Sequence, residues 1–470
     1  MKGKIVLAAI SIFCLNYFGY SQNKEMLYDF TDLPQSLMLN PGADVKFGFH
    51  AGIPFLSQIH VNAGLRGASL YDVFADDGRS INDKIQFTLN KLSSKDYLTL
   101  TEQIEIFNFG WRSKRNSDLY FSGGLYQELD LIGYFPKDFA LLAYQGNQDY
   151  LNVPFRFSTI SGAGELLTVY HFGVNRKVHK SLTIGARAKI YSSIINFRST
   201  GNSGTFTTVE TPNGNNIYRH IISNADVTVN TSGYASLRDI ESDDNSDGAR
   251  QVINKFIGRS LLGGNLGLGV DLGFTYKWED QWAVTGSVQD LGMVFYTRDV
   301  ETYRARGSYA FDGFETPITD GQGVEDFLDE IEAAIPIDTL SSAYVAPRSV
   351  KLNSSIRYSF NRYDNGSCEC YVDGTDPGYM DAIGLQVFTQ FRPQRPQFAA
   401  SVFYYKRLFN FLRAKVNYTV DEYSYYNVGF LMSAYIDKIN FYISANNVFE
   451  YSNLAKANGA SFQLGFNFIM

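Results

Sequence analysis

From Asn265 to Trp278 the chain alternates without a break. Leu266, Leu268, Val270, Leu272, Phe274, Tyr276 and Trp278 share one parity, and Asn265, Gly267, Gly269, Asp271, Gly273, Thr275 and Lys277 share the other. A period of two places the sets on opposite faces of a strand. Strands in water-soluble proteins average about 5–6 residues, whereas this run holds for 14. A wall with lipid on one face and a lumen on the other accounts for both the length and the contrast. The same separation recurs in Leu182, Ile184, Ala186, Ala188 and Ile190 against Thr183, Gly185, Arg187, Lys189 and Tyr191. It returns in Val350–Phe360, in Leu412–Tyr418 and in Ile439–Asn446.

The pattern predicts an all-β fold, a transmembrane antiparallel β-barrel with 14 strands near 45–66, 102–113, 117–130, 165–177, 181–198, 264–278, 281–295, 347–361, 380–391, 396–406, 410–420, 425–435, 438–448 and 460–470. The first is read as one strand kinked at Gly52 and Pro54, because Val45, Phe47, Phe49, Ile53, Phe55, Ile59, Val61 and Leu65 all hold one parity. Short connections near 114–117, 177–180, 278–281, 407–410 and 436–438 fall on one side, and long ones of about 66–102, 131–164, 198–263 and 296–346 on the other. Outer-membrane barrels keep short turns in the periplasm and large loops outside, so both termini are expected to be periplasmic. The chain ends on Phe462, Leu464, Phe466, Phe468 and Met470, an alternating face resembling the terminal signal read by the barrel assembly machinery. Helical spacing of Val324, Phe327, Leu328, Ile331 and Ile335, and of Ile81, Ile85, Leu89 and Leu92, predicts two helices outside the wall.

Composition agrees with interleaved faces: 37 Phe and 32 Tyr stand in a chain whose mean hydropathy is slightly negative. No linker divides residues 45–470, and no later stretch is long and apolar enough for a membrane helix. Lys2 and Lys4, the apolar run Ile5–Leu15, and small residues Gly19 and Ser21 predict a secretory signal peptide over 1–21, taking Cys14 with it. The formal charge of −7, without a Lys/Arg-rich run, argues against nucleic acid as a partner.

Catalytic chemistry finds little support. His50, His60, His171, His179 and His220 form no arrangement with Ser and carboxylate that reads as a triad, so no catalytic residue, cofactor or metal site is expected and the chain is read as a non-enzyme. Cys368 and Cys370 lie two apart in the one long turn of the short-turn side. A disulfide between them, strained by its small ring, is the first choice. Asp239, Glu241, Asp243, Asp244, Asn245 and Asp247 lack the ligand spacing of a calcium loop and read as a solvated acidic loop.

The Leu39-Asn-Pro-Gly-Ala43 run before the first strand, Gln289-Asp290-Leu291-Gly292 and Asn446-Asn447-Val448-Phe449 together resemble an uncharacterised family of large outer-membrane barrels, similar in design to the FadL-like and PorV-like superfamily. That resemblance implies a 14-stranded barrel in the outer membrane of a Gram-negative bacterium, with residues 22–44 as an N-terminal plug and 45–470 as the wall. Two functions follow from it: passage or binding of a small hydrophobic molecule, whether neutral or anionic, or a non-catalytic scaffold or accessory role in an outer-membrane protein assembly or secretion complex. Arg187, Lys189, Lys351, Arg357, Arg413 and Lys415 carry lumen parity, as does Asp271. These residues are candidates either for guiding an anionic ligand or for pairing with plug and loop carboxylates.

Overall fold

A computed structural model describes residues 25–211, 217–241, 248–311, 337–362 and 378–470. The expected signal peptide, the Val324–Ile335 helix, Cys368, Cys370 and most of the acidic loop lie outside the described residues. Fourteen antiparallel strands close on themselves. They are β1 (Phe49–Gly52, continuing as Ile59–Leu65), β2 (Tyr97–Arg112), β3 (Leu119–Tyr134), β4 (Gly162–His179), β5 (Leu182–Ser199), β6 (Asn265–Lys277) and β7 (Trp282–Tyr296). The circuit continues with β8 (Tyr344–Pro347, continuing as Lys351–Arg362), β9 (Tyr379–Phe391), β10 (Pro396–Phe409), β11 (Leu412–Val420), β12 (Asn427–Ile436), β13 (Ile439–Asn446) and β14 (Gly459–Ile469). Each pairs with its sequence neighbours, and β1 closes the wall by pairing with both β2 and β14. Among the described residues no helix is long and apolar enough to cross a membrane.

Closure happens across an interrupted strand. His50 pairs with Ile469 and Gly110, and nine residues later Ile59 pairs with Leu464 and Ile104, so β1 carries several more residues than either neighbour. The surplus, residues 53–58, leaves the ladder where Gly52 and Pro54 mark the kink. It stays bonded to both neighbours: Ile53 N–H donates to Phe466 O at 3.2 Å, Phe55 N–H to Ile106 O at 3.1 Å, and Phe466 N–H to Leu56 O at 2.9 Å. In lipid, each of these groups left alone would cost several kcal/mol. The strand begins at Phe49, not at Val45; Val45 and Phe47 are buried with Tyr120 inside the barrel, continuing the segment that precedes them. Their odd parity came from a short extended stretch, not from the wall.

The wall's outer face is apolar over the height of the barrel. Leu266, Leu268, Val270, Leu272, Phe274, Tyr276 and Trp278 are all exposed outward, while the intervening Asp271 and Thr275 are buried inward. Twelve residue steps at about 3.3 Å, tilted by about 40°, span roughly 30 Å, against the ~25 Å apolar band of such barrels. At the short-turn end Phe107, Phe109, Trp111, Phe121 and Phe172 form a continuous ring-to-ring row with centroids 6.2, 5.9, 5.5 and 6.1 Å apart, and Trp278 stacks on Trp282 at 5.3 Å. An aromatic girdle of this kind marks a membrane boundary.

At the opposite end the long connections are more ordered than the sequence suggested. Strands Ser203–Glu210, Tyr218–Ser232, Val300–Phe311 and Ile337–Leu340 pair in a row and continue from β5 through Asn196–Arg198. Thr, Ser and Asn interrupt their apolar alternation, so they read as loop. The helix expected from Ile81 onward is present over Ile81–Lys91, with Leu89 and Leu92 buried but Ile81 outside.

Leu272→Arg, near the middle of the apolar band, should destabilise the barrel by about 2–4 kcal/mol, and Tyr276→Arg, close to the girdle, by about 0–1 kcal/mol. Urea titration of the protein refolded into lipid vesicles measures both; equal costs would mean that β6 does not run through the bilayer.

Candidate functional site: the lumen and its mouth

Alternation turns one side chain in two toward the lumen, and the lumen is occupied by residues 25–48 of the same chain. This segment enters near Glu25, whose carboxylate accepts from Ser401 at 3.0 Å and Thr419 at 3.1 Å. It contributes Met26, Leu27, Tyr28, Phe30, Leu33 and Leu39 to a cluster with Leu431 and Tyr442 of the wall. Burying apolar side chains at about 25 cal/mol per Å² favours the segment's residence there, but its backbone carbonyls must also find donors. The wall supplies them.

The Asn40-Pro41-Gly42 turn shows how. Gly42 N–H donates to Asn40 Oδ1 at 2.9 Å, and Asn40 Nδ2 donates to Phe274 O at 3.1 Å. Asn175 Nδ2 reaches both Pro41 O and Ala43 O at 2.8 Å, and Thr275 Oγ1 donates to Gly42 O at 2.8 Å. The turn presses against bare backbone: a Cβ on Gly185 would stand 2.0 Å from Pro41 O, and one on Gly273 2.0 Å from Asn40 Oδ1. Two inward glycines on neighbouring strands thus form a socket for the turn.

Above this socket lies a buried ion network. Arg187 Nε donates to Asp271 Oδ2 at 2.7 Å and its other nitrogens to Leu37 O and Met38 O. Lys189 lies 2.9 Å from Asp271 and 2.6 Å from Asp290. Lys351 bridges Asp290 and Glu128, both at 3.1 Å, and Arg348 joins Glu128, at 3.2 Å, to Glu165. Four cations thus face four carboxylates, and the cluster is neutral. Removing charges from water this completely is tolerated only when each is paired and hydrogen-bonded.

The other expected lumen residues meet the interior segment. Arg357 binds Asp29 at 2.9 Å, Lys415 donates to Tyr28 O at 2.7 Å, and Arg413 lies 3.4 Å from Asp32, over the Tyr435 ring. All seven residues singled out from parity therefore face inward; Arg187, Lys189, Asp271 and Lys351 come together, whereas Arg357, Arg413 and Lys415 lie apart from that cluster. Asp290, Glu128, Glu165 and Arg348 were missed. For Asp290 a signal existed. Gln289-Asp290-Leu291-Gly292 is a β-bulge, with the register shifting between Val270 and Leu272 of the partner strand and Asp290 at φ 60°. The extra residue breaks alternation and turns both Gln289 and Asp290 inward, where Gln289 donates to Leu39 O and Asp290 N–H to Asp271 Oδ1 at 2.7 Å. A bulge that re-aims a side chain is a local feature, but strict parity counting steps over it.

The histidines are dispersed. His50 contacts Tyr120 Oη at 2.5 Å and Asn108 at 3.1 Å; His179 contacts Ser181 at 2.9 Å in a turn; His171 packs on Tyr126. Among the described residues no three His, Cys, Asp or Glu side chains are grouped to hold a metal ion.

At the long-loop end Tyr97, Tyr134 and Tyr423 pack edge to face, with Tyr97–Tyr134 centroids 5.7 Å apart, over the lumen. Beyond them an apolar cavity of about 480 Å³ opens between the Ile81–Lys91 helix and the rim of β1, β2 and β3. Leu65, Val73, Ile85, Leu89, Leu92 and Leu98 line it, with Arg66 at its edge.

A family model covers most of this architecture: the family of unknown function DUF5723 matches residues 41–446. The chain belongs to this family. No curated protein matches it. Among solved structures, this DUF5723 member is similar to the Ralstonia pickettii toluene transporter TbuX, at 12% identity and TM-score 0.41, over 97% of this chain and 98% of that one. It is also similar to a Pseudomonas aeruginosa FadL homologue, at 9% identity and TM-score 0.45, over 96% and 99%, and to the Pseudomonas putida toluene transporter TodX, at 10% identity and TM-score 0.39, over 93% of each chain. The barrel architecture of this DUF5723 protein stands on its own strand pairing.

Asp290→Ala leaves Lys189 and Lys351 short of a counter-charge and should cost about 3–5 kcal/mol in the same urea titration. Gly185→Val instead strikes the Pro41 carbonyl while leaving the wall paired. It should expose the interior segment to protease in the folded barrel, and unchanged protection would show that the socket does not hold it.

Proposed function

We propose that this protein is an outer-membrane barrel of a Gram-negative bacterium that binds and admits a small hydrophobic molecule, with residues 25–48 as a plug and both termini periplasmic. The observation carrying this reading is the apolar cavity at the long-loop mouth, lined almost wholly by carbon and separated from the polar lumen by three tyrosines. Pockets of a few hundred Å³ with apolar walls and few polar groups are the usual form of small-ligand sites. Arg66, which also lines the cavity, already lies 3.7 Å from Asp96 and 3.9 Å from Glu422, so selection by the cavity rests on its apolar walls. The ion network at mid-height is paired within itself, so ligand capture belongs to the mouth, and the plug must shift before anything passes. In this reading the chain is exported through a cleaved signal peptide, the barrel assembly machinery reads β14, and Cys368 and Cys370 pair in a periplasmic turn.

A second reading, a PorV-like scaffold in an outer-membrane or secretion complex, draws on the same filled lumen: an interior occupied by residues 25–48 and crossed by a neutral ion network serves stability as well as transport.

Mass spectrometry of the protein extracted gently from its own membrane separates the two. Stoichiometric retention of a small lipid or fatty acid, lost in Leu89→Asp, is the expected result. Stable co-purifying proteins with no bound small molecule would overturn the channel reading in favour of the scaffold.

A further inference from the structure

The helix Gly248–Gly258 and the irregular turn Arg259–Gly263 that follows it leave a row of large apolar side chains uncovered. Four of their apolar side chains point away from the protein, with Ile253 57% exposed, Ile257 53%, Leu261 65% and Leu262 43%, while Val252 and Phe256 are half-buried. Lys255 and Arg259 point into the protein, while Arg250, Gln251 and Asn254 share the exposed side. Lys255 Nζ donates to Ser236 O at 3.0 Å. The Arg259 guanidinium donates to Ser236 Oγ and Asp299 Oδ2, both at 2.6 Å, and to the carbonyls of Gly233 at 2.9 Å and Ile194 at 3.1 Å. A helix packed on a globular protein in water does the opposite, burying its apolar stripe.

The segment is also fixed to the outside of the wall. Tyr170 and Ser192 carry outward parity on β4 and β5; Tyr170 Oη donates to Ser260 O at 2.9 Å and Ser192 Oγ to Arg259 O at 2.5 Å. Ser192 pairs across the sheet with Leu266, the first outward residue of the apolar band on β6. The turn that carries Leu261 and Leu262 is therefore held at the band's long-loop edge, where Leu266 begins the outward apolar row of β6.

We propose that Gly248–Gly263 is an interfacial membrane segment, a helix and the turn that follows it, lying in the plane of the leaflet on the long-loop side, with Ile253, Ile257, Leu261 and Leu262 among the lipid acyl chains. Continuity with the lipid-facing wall identifies the occupant, because an apolar face left in water beside an apolar band would be one large exposed patch. An apolar face sunk about 5–10 Å into the headgroup boundary, with a polar face turned away from the chains, is the arrangement such helices adopt. Here the polar face is tethered to Ser236 and Asp299 of the long loops, so the helix fixes the height at which those loops stand above the membrane.

The test is site-directed spin labelling of the full mature chain, with Cys368→Ser and Cys370→Ser, reconstituted in phosphatidylglycerol/phosphatidylethanolamine vesicles. Single labels replace Ile257, Leu268 on the wall, or Lys114 in an exposed turn, and heat-dependent gel migration confirms that each barrel has folded. Collision rates with oxygen and with a water-soluble nickel chelate are compared. The Ile257 label should match Leu268, with oxygen favoured several-fold over its value at Lys114. A label that resembles Lys114 would place the helix in water, and one shielded from both reagents would place it against protein; either overturns the proposal.

Discussion

A strand that crosses a bilayer can leave no amide or carbonyl unpaired, and this constraint falls hardest on β1, the one strand that must pair with both ends of the chain. It does so while carrying an excursion at residues 53–58, and the hydrogen bonds to Phe466 and Ile106 keep the closure intact. Everything inside the barrel follows from that closed wall. Period two sends every other side chain into a sealed space, and polar groups sent there must be satisfied by one another or by something brought in.

The interior segment is what is brought in, and it solves two problems at once. Its apolar side chains fill volume, and its carbonyls accept from Arg187, Gln289, Asn175 and Lys415. The wall in turn makes room where the segment's backbone touches it, at Gly185 and Gly273. Between these contacts the charges of β3, β4, β5, β6, β7 and β8 neutralise each other. A lumen packed in this way is filled at mid-height, and the apolar cavity lies at its mouth.

The outside shows a parallel division. The wall meets lipid with an apolar band and aromatic girdle, and above it strands and helices pack onto one another more fully than loops. Polar contacts such as Arg259–Asp299, at 2.6 Å, hold this superstructure, since water is present there and charged pairs need not be buried.

The sequence by itself determined the wall: fourteen strands, their order, the two faces of its regular stretches, the kink at Gly52 and Pro54, and the inward placing of Arg187, Lys189, Asp271, Lys351, Arg357, Arg413 and Lys415. Those are properties of a period-two repeat, and a period is local. The tertiary structure alone decided which charges meet, because partners such as Arg348 and Glu165 are joined across the lumen and not along the chain. It also decided that Val45 and Phe47 belong to the interior, that Asp290 is turned inward by a bulge, and that two glycines far apart in sequence form one socket. Each depends on where the closed wall brings distant residues, and closure is a property of the whole circuit that no single strand records.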